Sequence, residues 1–390
     1  MPGLSLAAFG SGISLRVTDP LLPRLAHDFS MGLGDAALVI TVFGLAYGFS
    51  QLLFGPLGDR FGKYRVIAWG AVACAITTSA CALAPNFAWL LVARTLAGAT
   101  AASIIPLSMA WIGDVTPYAQ RQPLLAKFLI GQILGISAGV LAGGYAADHL
   151  HWRTPFIGIA VLFAVVGLYL LHINARLPAH ARQTSAAQDS ALARMVSEFA
   201  QVLAVPWARV VVFTVFAEGG FLYGSFAFMV SHLHRQHGMA LASAGQVVML
   251  FGMGGVLFAL RARVLVERLG EAGLCRWGGA LVALSFLTIA LAPHLAWSVP
   301  ACFCAGLGFY MLHNTLQINA TQMAPQRRGA SVAAFAALFF IGQSAGIALN
   351  GVLIEHMGTT GVIVLGAAGV FALSQNFARL IRLRAGLGVA

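Results

Sequence analysis

Long apolar runs alternate with short polar breaks along almost the whole chain. Cutting at the charged and Pro/Gly-rich breaks predicts twelve helical spans. In the first half they run Leu4 to Leu25, Ala36 to Leu57, Arg65 to Leu83, Phe87 to Ile112, Leu124 to Ala147 and Thr154 to Ile173. In the second they run Val210 to His232, Ala242 to Leu260, Gly273 to Leu291, Trp297 to Thr321, Ala330 to Ile354 and Gly361 to Ile381. These lengths suit bilayer crossings, which take about 20 apolar residues each. The longest polar stretch separates the halves and predicts an N-terminal bundle (1–175), a linker (176–207) and a C-terminal bundle (208–390). The expected fold class is an all-α membrane protein with 12 transmembrane helices in two six-helix bundles.

Composition agrees with lipid as the solvent. The chain is 59% hydrophobic and 9% charged, with a mean hydropathy of +0.85, unlike a soluble domain of this length. No polar segment is long enough to fold alone. The net charge of +11 does not point to nucleic acid, because the basic residues punctuate apolar spans instead of gathering on one element. With both termini cytoplasmic, 18 Lys and Arg fall on cytoplasmic loops and helix ends, and only Arg24, Arg153 and Arg235 fall outside. That asymmetry sets the orientation. The first run carries Arg16 and Asp19 with no small-residue cleavage site after it, so it is expected to remain as a helix. Cys74, Cys81, Cys275, Cys302 and Cys304 lack metal-ligand spacing and read as small buried hydrophobes. His149, His151, His232, His234 and His237 map to the outer side and read as solvated loop residues, not as a metal site.

The halves echo each other. Leu129-Ile130-Gly131-Gln132-x-x-Gly135 recurs as Phe340-Ile341-Gly342-Gln343-x-x-Gly346. The stretch Arg263 to Gly270 is a worn copy of the charged turn around Asp59, with Glu267 in the place of Asp59. Such repeats build transporter bundles around a midplane site.

Ionisable residues inside the spans carry the chemistry, since a charge at the bilayer centre costs at least about 2.5–3.5 kcal/mol. Asp19 lies in Arg16-Val17-Thr18-Asp19-Pro20-Leu21-Leu22-Pro23. It reads as a proton-carrying carboxylate tuned by Arg16 three residues before it, or as a local ion pair. Glu218 is flanked by Phe216, Phe221, Tyr223, Phe226 and Phe228. A carboxylate among aromatic rings suits an amphipathic cation or a proton, the alternative being a structural bond to a neighbouring helix. Arg94 is a third buried charge that needs a partner. His313 is the histidine placed well inside a span, in His313-Asn314-x-x-Gln317, where it can relay protons near neutral pH. Tyr47, Gln51, Phe221, Tyr223, His313, Asn314, Gln317 and Gln343 are the candidate substrate contacts. No nucleophile–base set or nucleotide-binding motif stands out, so no enzymatic activity is expected.

The turn Gly55-Pro56-Leu57-Gly58-Asp59-Arg60-Phe61-Gly62-Lys63-Tyr64-Arg65 resembles the signature loop between helices 2 and 3 of the major facilitator superfamily. Gly55, Leu57, Asp59, Arg60, Gly62 and Lys63 match, and Tyr64 replaces a basic residue. The resemblance implies two pseudo-symmetric bundles and secondary transport. It also implies a latch in which Asp59 caps helix 11 and Lys63 pairs with Asp114, with Gly55, Arg60 and Gly62 shaping the turn. Arg94, in Arg94-x-x-x-Gly98, is similar to the helix 4 motif of the drug:proton antiporter branch, where it would tune the proton-carrying acid. Gly135, Gly139, Gly143 and Gly144 resemble that branch's helix 5 motif, with Val140 in place of its proline; small residues every fourth position also serve helix packing. The implied function is proton-driven efflux of small amphipathic compounds. The expected partners are a small-molecule substrate, protons and the bilayer, with no nucleic acid, no metal and no cofactor beyond the proton gradient. A monomer in a bacterial inner (cytoplasmic) membrane is expected. Two alternatives stand: a proton-coupled symporter importing a metabolite or carboxylate drawn to Arg16 and Arg94, and a non-transporting sensor or lipid-handling protein on the same fold.

Overall fold

The computed structural model describes residues 2–178, 181 and 191–386, and these are helical almost throughout. The middle of the expected linker (179–180 and 182–190) and the last four residues of the expected C-terminal bundle lie outside the described residues. In the first half the elements are α1 (Pro2–Arg16), α2 (Leu22–Asp28), α3 (Leu33–Ala36), α4 (Leu38–Phe61), α5 (Lys63–Ala82), α6 (Phe87–Ala101), α7 (Ile104–Val115), α8 (Tyr118–His149) and α9 (Thr154–Arg176). The second half holds α10 (Ala191–Ala204), α11 (Pro206–Glu218), a π-helical turn (Gly219–Tyr223), α12 (Gly224–Phe226), α13 (Met229–His237), α14 (Leu241–Val248), α15 (Leu250–Leu291), α16 (Ser298–Gln322) and α17 (Arg328–Gly386). Among the described residues, nine helical segments are long and apolar enough to cross a membrane. Exposed Ile76, Val165, Leu284 and Val352 supply the apolar outer surface such helices turn to lipid.

Prolines break the helices where the sequence places them. Pro20 and Pro23 lack an N–H, and their rings exclude α-helical bonding to the carbonyls of Arg16 and Asp19, four residues back. α1 therefore stops at Arg16, and tighter turns follow: Asp19 N donates to Arg16 O at 3.3 Å and Leu21 N to Thr18 O at 3.1 Å. The expected continuous first span is thus two helices with a break. Pro106 explains the interruption between α6 and α7 in the same way.

Glycine replaces loops at two reversals. α15 and α17 are each two rods joined at one residue, Gly270 (φ 63°) and Gly358 (φ 65°). Only a residue without Cβ enters that region without strain. The loops expected between Leu260 and Gly273, and between Ile354 and Gly361, are therefore nearly all helix. Two other limits move: α8 begins at Tyr118 instead of Leu124, and α11 begins at Pro206 instead of Val210.

Small residues set the packing. Gly131, Gly135, Gly139 and Gly143 line one face of α8 against the carbonyls of Ser5, Phe9, Ile13 and Val17 on the first span. A Cβ at any of the four would collide with backbone. In the second half, Gly342 and Gly346 of α17 sit against the carbonyls of Phe216 and Gly220. The two copies of the Gly-Gln-x-x-Gly repeat thus do the same work in each half. Gly62 (φ 88°) and Gly270 likewise occupy matching places in the two turns.

The halves meet at one end. Gly34 packs on Gly351, Gly44 on Ser344 and Gly48 on Phe340 and Ile341; on the other side of the molecule, Gly144 meets Leu241 and Val140 meets Gly245. At the opposite end a Cβ added at Gly55, Gly113 or Gly329 would have nothing within 4 Å. The molecule is closed at one end and parts toward the other.

Candidate functional site

Arg16 sits at the break in the first span, 3% exposed. Its Nη1 donates to Asp19 Oδ2 at 3.3 Å, and its Nη2 to Gln343 Oε1 of α17 at 2.8 Å. Its guanidinium lies 3.9 Å from the ring centroid of Tyr223. One cation therefore ties the first half to two elements of the second. Asp19 is 2% exposed, and its Oδ1 has no hydrogen-bond partner among the described residues.

Arg94 answers the same break from α6. Nη1 and Nη2 donate to the Ser14 carbonyl at 3.2 and 3.3 Å, Nη2 to Thr18 Oγ1 at 3.4 Å, and Nε to Val39 O at 3.1 Å. The Phe43 ring covers it at 4.1 Å. Arg94 thus holds neutral oxygens beside the α1 break, on the same first span as Asp19. Its five-donor fork explains how a fully buried cation is accommodated.

Glu218 closes α11, 0% exposed. Its Oε2 meets His313 Nδ1 of α16 at 2.9 Å, and its Oε1 is without a hydrogen-bond partner among the described residues. The π-helical turn follows at once, a departure that concentrates at functional sites. Of the aromatic neighbours in sequence, Tyr223 joins a ring cluster that other helices build around His313, the partner of Glu218. Phe309 stacks on the His313 ring at 5.0 Å, and Phe339 and Phe335 lie 4.7 and 5.4 Å away. Phe221 is 36% exposed and faces Gly369, so it lies apart from this cluster. Residues close in sequence point in different directions around the helix, which separates Phe221 from Tyr223. The spacing Phe309–His313 and Phe335–Phe339 was the available signal, four residues apart on single helix faces.

The two acid centres join. Tyr223, beneath Arg16, contacts Phe309 and Phe339 edge-on at 5.5 and 5.6 Å. A continuous path runs Asp19–Arg16–Tyr223–Phe309/Phe339–His313–Glu218, with Gln343 beside it. Of the other expected contacts, Tyr47 is closed into the seam between halves, 4.5 Å from Phe340, and Gln51 is buried on the same helix. Asn314 is half-buried and Gln317 exposed.

The signature turn forms half of its expected latch. Lys63 Nζ pairs with Asp114 at 2.6 Å and with Asp59 at 3.5 Å. Asp59 is exposed and bonds within its own half instead of capping α17, because the halves stand apart at this end. Arg60 lies over Phe61 at 5.1 Å. His232 departs from the reading as a solvated residue. It is 1% exposed, with Nδ1 at 2.9 Å from Thr359 Oγ1 and Nε2 at 3.1 Å from Ile289 O.

Comparison with known proteins places this geometry. A family model described as Major Facilitator Superfamily matches residues 4–347. An uncharacterized MFS-type transporter of Bacillus subtilis, YceJ, is 24% identical over 96% of this chain and 94% of its own. The multidrug export protein EmrB of Escherichia coli is 31% identical over 44% of this chain and 34% of its own. Among solved structures, the nucleoside transporter NupG superposes with a TM-score of 0.76 at 16% identity, over 97% of each chain.

Proposed function

The chain belongs to the major facilitator superfamily, and we propose that it exports small amphipathic compounds in exchange for protons, by alternating access. On this reading α15 and α17 each count as two spans and the broken first span as one. The nine segments then become twelve, in two six-helix bundles with both termini in the cytoplasm of a bacterial cell. The basic end is the open end, so the conformation is inward-facing.

One observation carries the proposal. Each half holds a buried carboxylate with one oxygen bonded to a basic group and the other without a hydrogen-bond partner among the described residues, and Arg16 reaches from the first centre to Gln343 and Tyr223 of the second half. A carboxylate in that state accepts a proton without losing its existing bond. With Asp19 ionised, Arg16 is held between Asp19 and Gln343, and the closed end stays closed. A proton on Asp19 removes the ionic hold and leaves Arg16 a poorly compensated buried cation, which biases the halves toward rearrangement. Glu218 bonds His313, whose ring lies among Phe309, Phe335 and Phe339, so a cationic cargo that reaches this cluster would find both charge and π-faces. A proton and a cationic cargo compete for that carboxylate, which is the logic of exchange. The partial likeness to EmrB supports export. The carboxylate-import alternative is less favoured, because Arg16 and Arg94 already have oxygen partners.

In everted vesicles energised to accumulate protons, addition of a lipophilic cation is expected to release protons from the lumen. Asp19→Asn should abolish that release for every cargo, and Glu218→Gln for cations above all. Undiminished release in Asp19→Asn would move coupling away from the first span. No release with any member of a panel of lipophilic cations, weak acids and sugars would overturn exchange altogether.

A further inference from the structure

At the end of the molecule where basic residues gather, the start of the second rod of α15 and the last turns of α17 flank an open surface cavity of ≈ 340 Å³ lined by Arg276, Gln375, Ala378, Arg379, Arg382 and Leu383. Three guanidinium groups face one space, and no carboxylate lines it. None of the three arginines forms an ion pair among the described residues. No Asp or Glu occurs anywhere in 273–291 or 359–386. Three exposed arginines side by side, with no acid lining the space between them, make it a place for an anion.

The cavity is held open by specific contacts. Gln375 Nε2 donates to the Arg276 carbonyl at 3.1 Å, which joins the two rods, and to the adjacent Ser374 Oγ at 3.4 Å. Gly279 admits Ser374 one turn further along. Arg384 lies over Trp207 at 4.7 Å and ties the end of α17 to the start of α11. The rim is amphipathic: Leu383 is 53% exposed, and Trp277, beside Arg276, is 58% exposed. Tryptophan and arginine together at a helix end mark the level of lipid headgroups.

We propose that this cavity binds an anionic phosphate group, supplied by the headgroup of an acidic membrane lipid. Basic pockets between membrane helices on the cytoplasmic side bind such headgroups. Arg276, Arg379 and Arg382 neutralise the phosphate, and Leu383 and Trp277 meet the glycerol and upper acyl chain. The site is separate from the cargo path and stands whether or not the exchange reading does.

The test uses native mass spectrometry of the full chain released from nanodiscs of phosphatidylglycerol mixed with phosphatidylcholine. Wild type is expected to retain phosphatidylglycerol preferentially. Replacing Arg276, Arg379 and Arg382 together by Gln should weaken retention on the order of a hundredfold, and Arg379→Gln alone about fivefold, from the attraction of each basic residue to an anionic surface. The single variant carries the test if the triple does not fold. A control with Arg261, Arg263 and Arg268 changed to Gln removes the same charge at the same end and should keep the preference. Excess inorganic phosphate that displaces the lipid from wild type makes the site a general phosphate site; failure to displace it makes the lipid the occupant. Retention in the variants equal to wild type, or equal loss in the control, overturns the proposal.

Discussion

Arg94 shows how far a single residue can be read from sequence. A bare Arg inside lipid has to be engaged, and that much is visible in the chain. Its partners are not, because they are the Ser14 and Val39 carbonyls and the Thr18 hydroxyl, 55 to 80 positions away. Backbone oxygens leave no signature in side-chain identity. Asp19 was more legible, since Pro20 and Pro23 beside it announce the break that Arg16 fills. The Arg16–Gln343 bond spans 327 positions and had no local signal. These contacts give Arg94 a structural as well as an electrostatic task. Arg94→Lys keeps the charge but cannot reach Ser14, Thr18 and Val39 at once, so it should cost about 1–3 kcal/mol of stability. Thermal unfolding of the purified protein measures that loss. A Lys variant as stable as wild type would show that charge alone matters at this position. A stable Lys variant with a shifted pH profile of proton release would support the tuning role of Arg94.

Elements were legible where apolar length and prolines decide them, and less so where glycine acts through geometry. The spans were placed nearly throughout, yet two loops turned out to be single-residue reversals at Gly270 and Gly358. A positive φ is a property of one backbone position, invisible in hydropathy. In the glycine stripe of α8, Gly135, Gly139 and Gly143 pack on the first span, while Gly144 meets Leu241 of the second half. The first span carries Arg16 and Asp19, so the stripe positions the site without touching it. Gly139→Leu should therefore push the first span from its seat against Ile13, lower thermal stability and reduce transport together. Gly158→Ala is the matched control, because a Cβ there meets nothing within 4 Å. It should leave both unchanged or slightly raise stability by improving helix propensity. Equal tolerance of the two substitutions would mean that the close approach of α8 to the first span is dispensable.

At the scale of the whole molecule, the close glycine contacts between halves gather on one side of the site. Gly34 against Gly351 and Gly48 against Phe340 seal one end, and Gly55 and Gly329 face open space at the other. Exchange between two arrangements requires that the sealed end can open and the open end can seal, each at the expense of the other. A side chain at Gly351 acts on only one of these states. Gly351→Leu drives its Cβ toward the Gly34 backbone, so it should prop the sealed end apart and favour the opposite arrangement. Spin labels on Asp35→Cys and Glu355→Cys, two exposed positions at that end, report the separation by pulsed electron resonance. They can be attached selectively, because the native cysteines are buried or half-buried. Wild type should give a short distance, and Gly351→Leu a longer one with transport lost. Gly55→Leu is the mirror experiment: nothing in the present arrangement opposes it, so the distance should stay short while transport falls, because the other end can no longer close. An unchanged distance in Gly351→Leu would mean that the glycine seam is not what holds this end shut. The clasp of Arg16 on Gln343 would then be the stronger of the two restraints on that end.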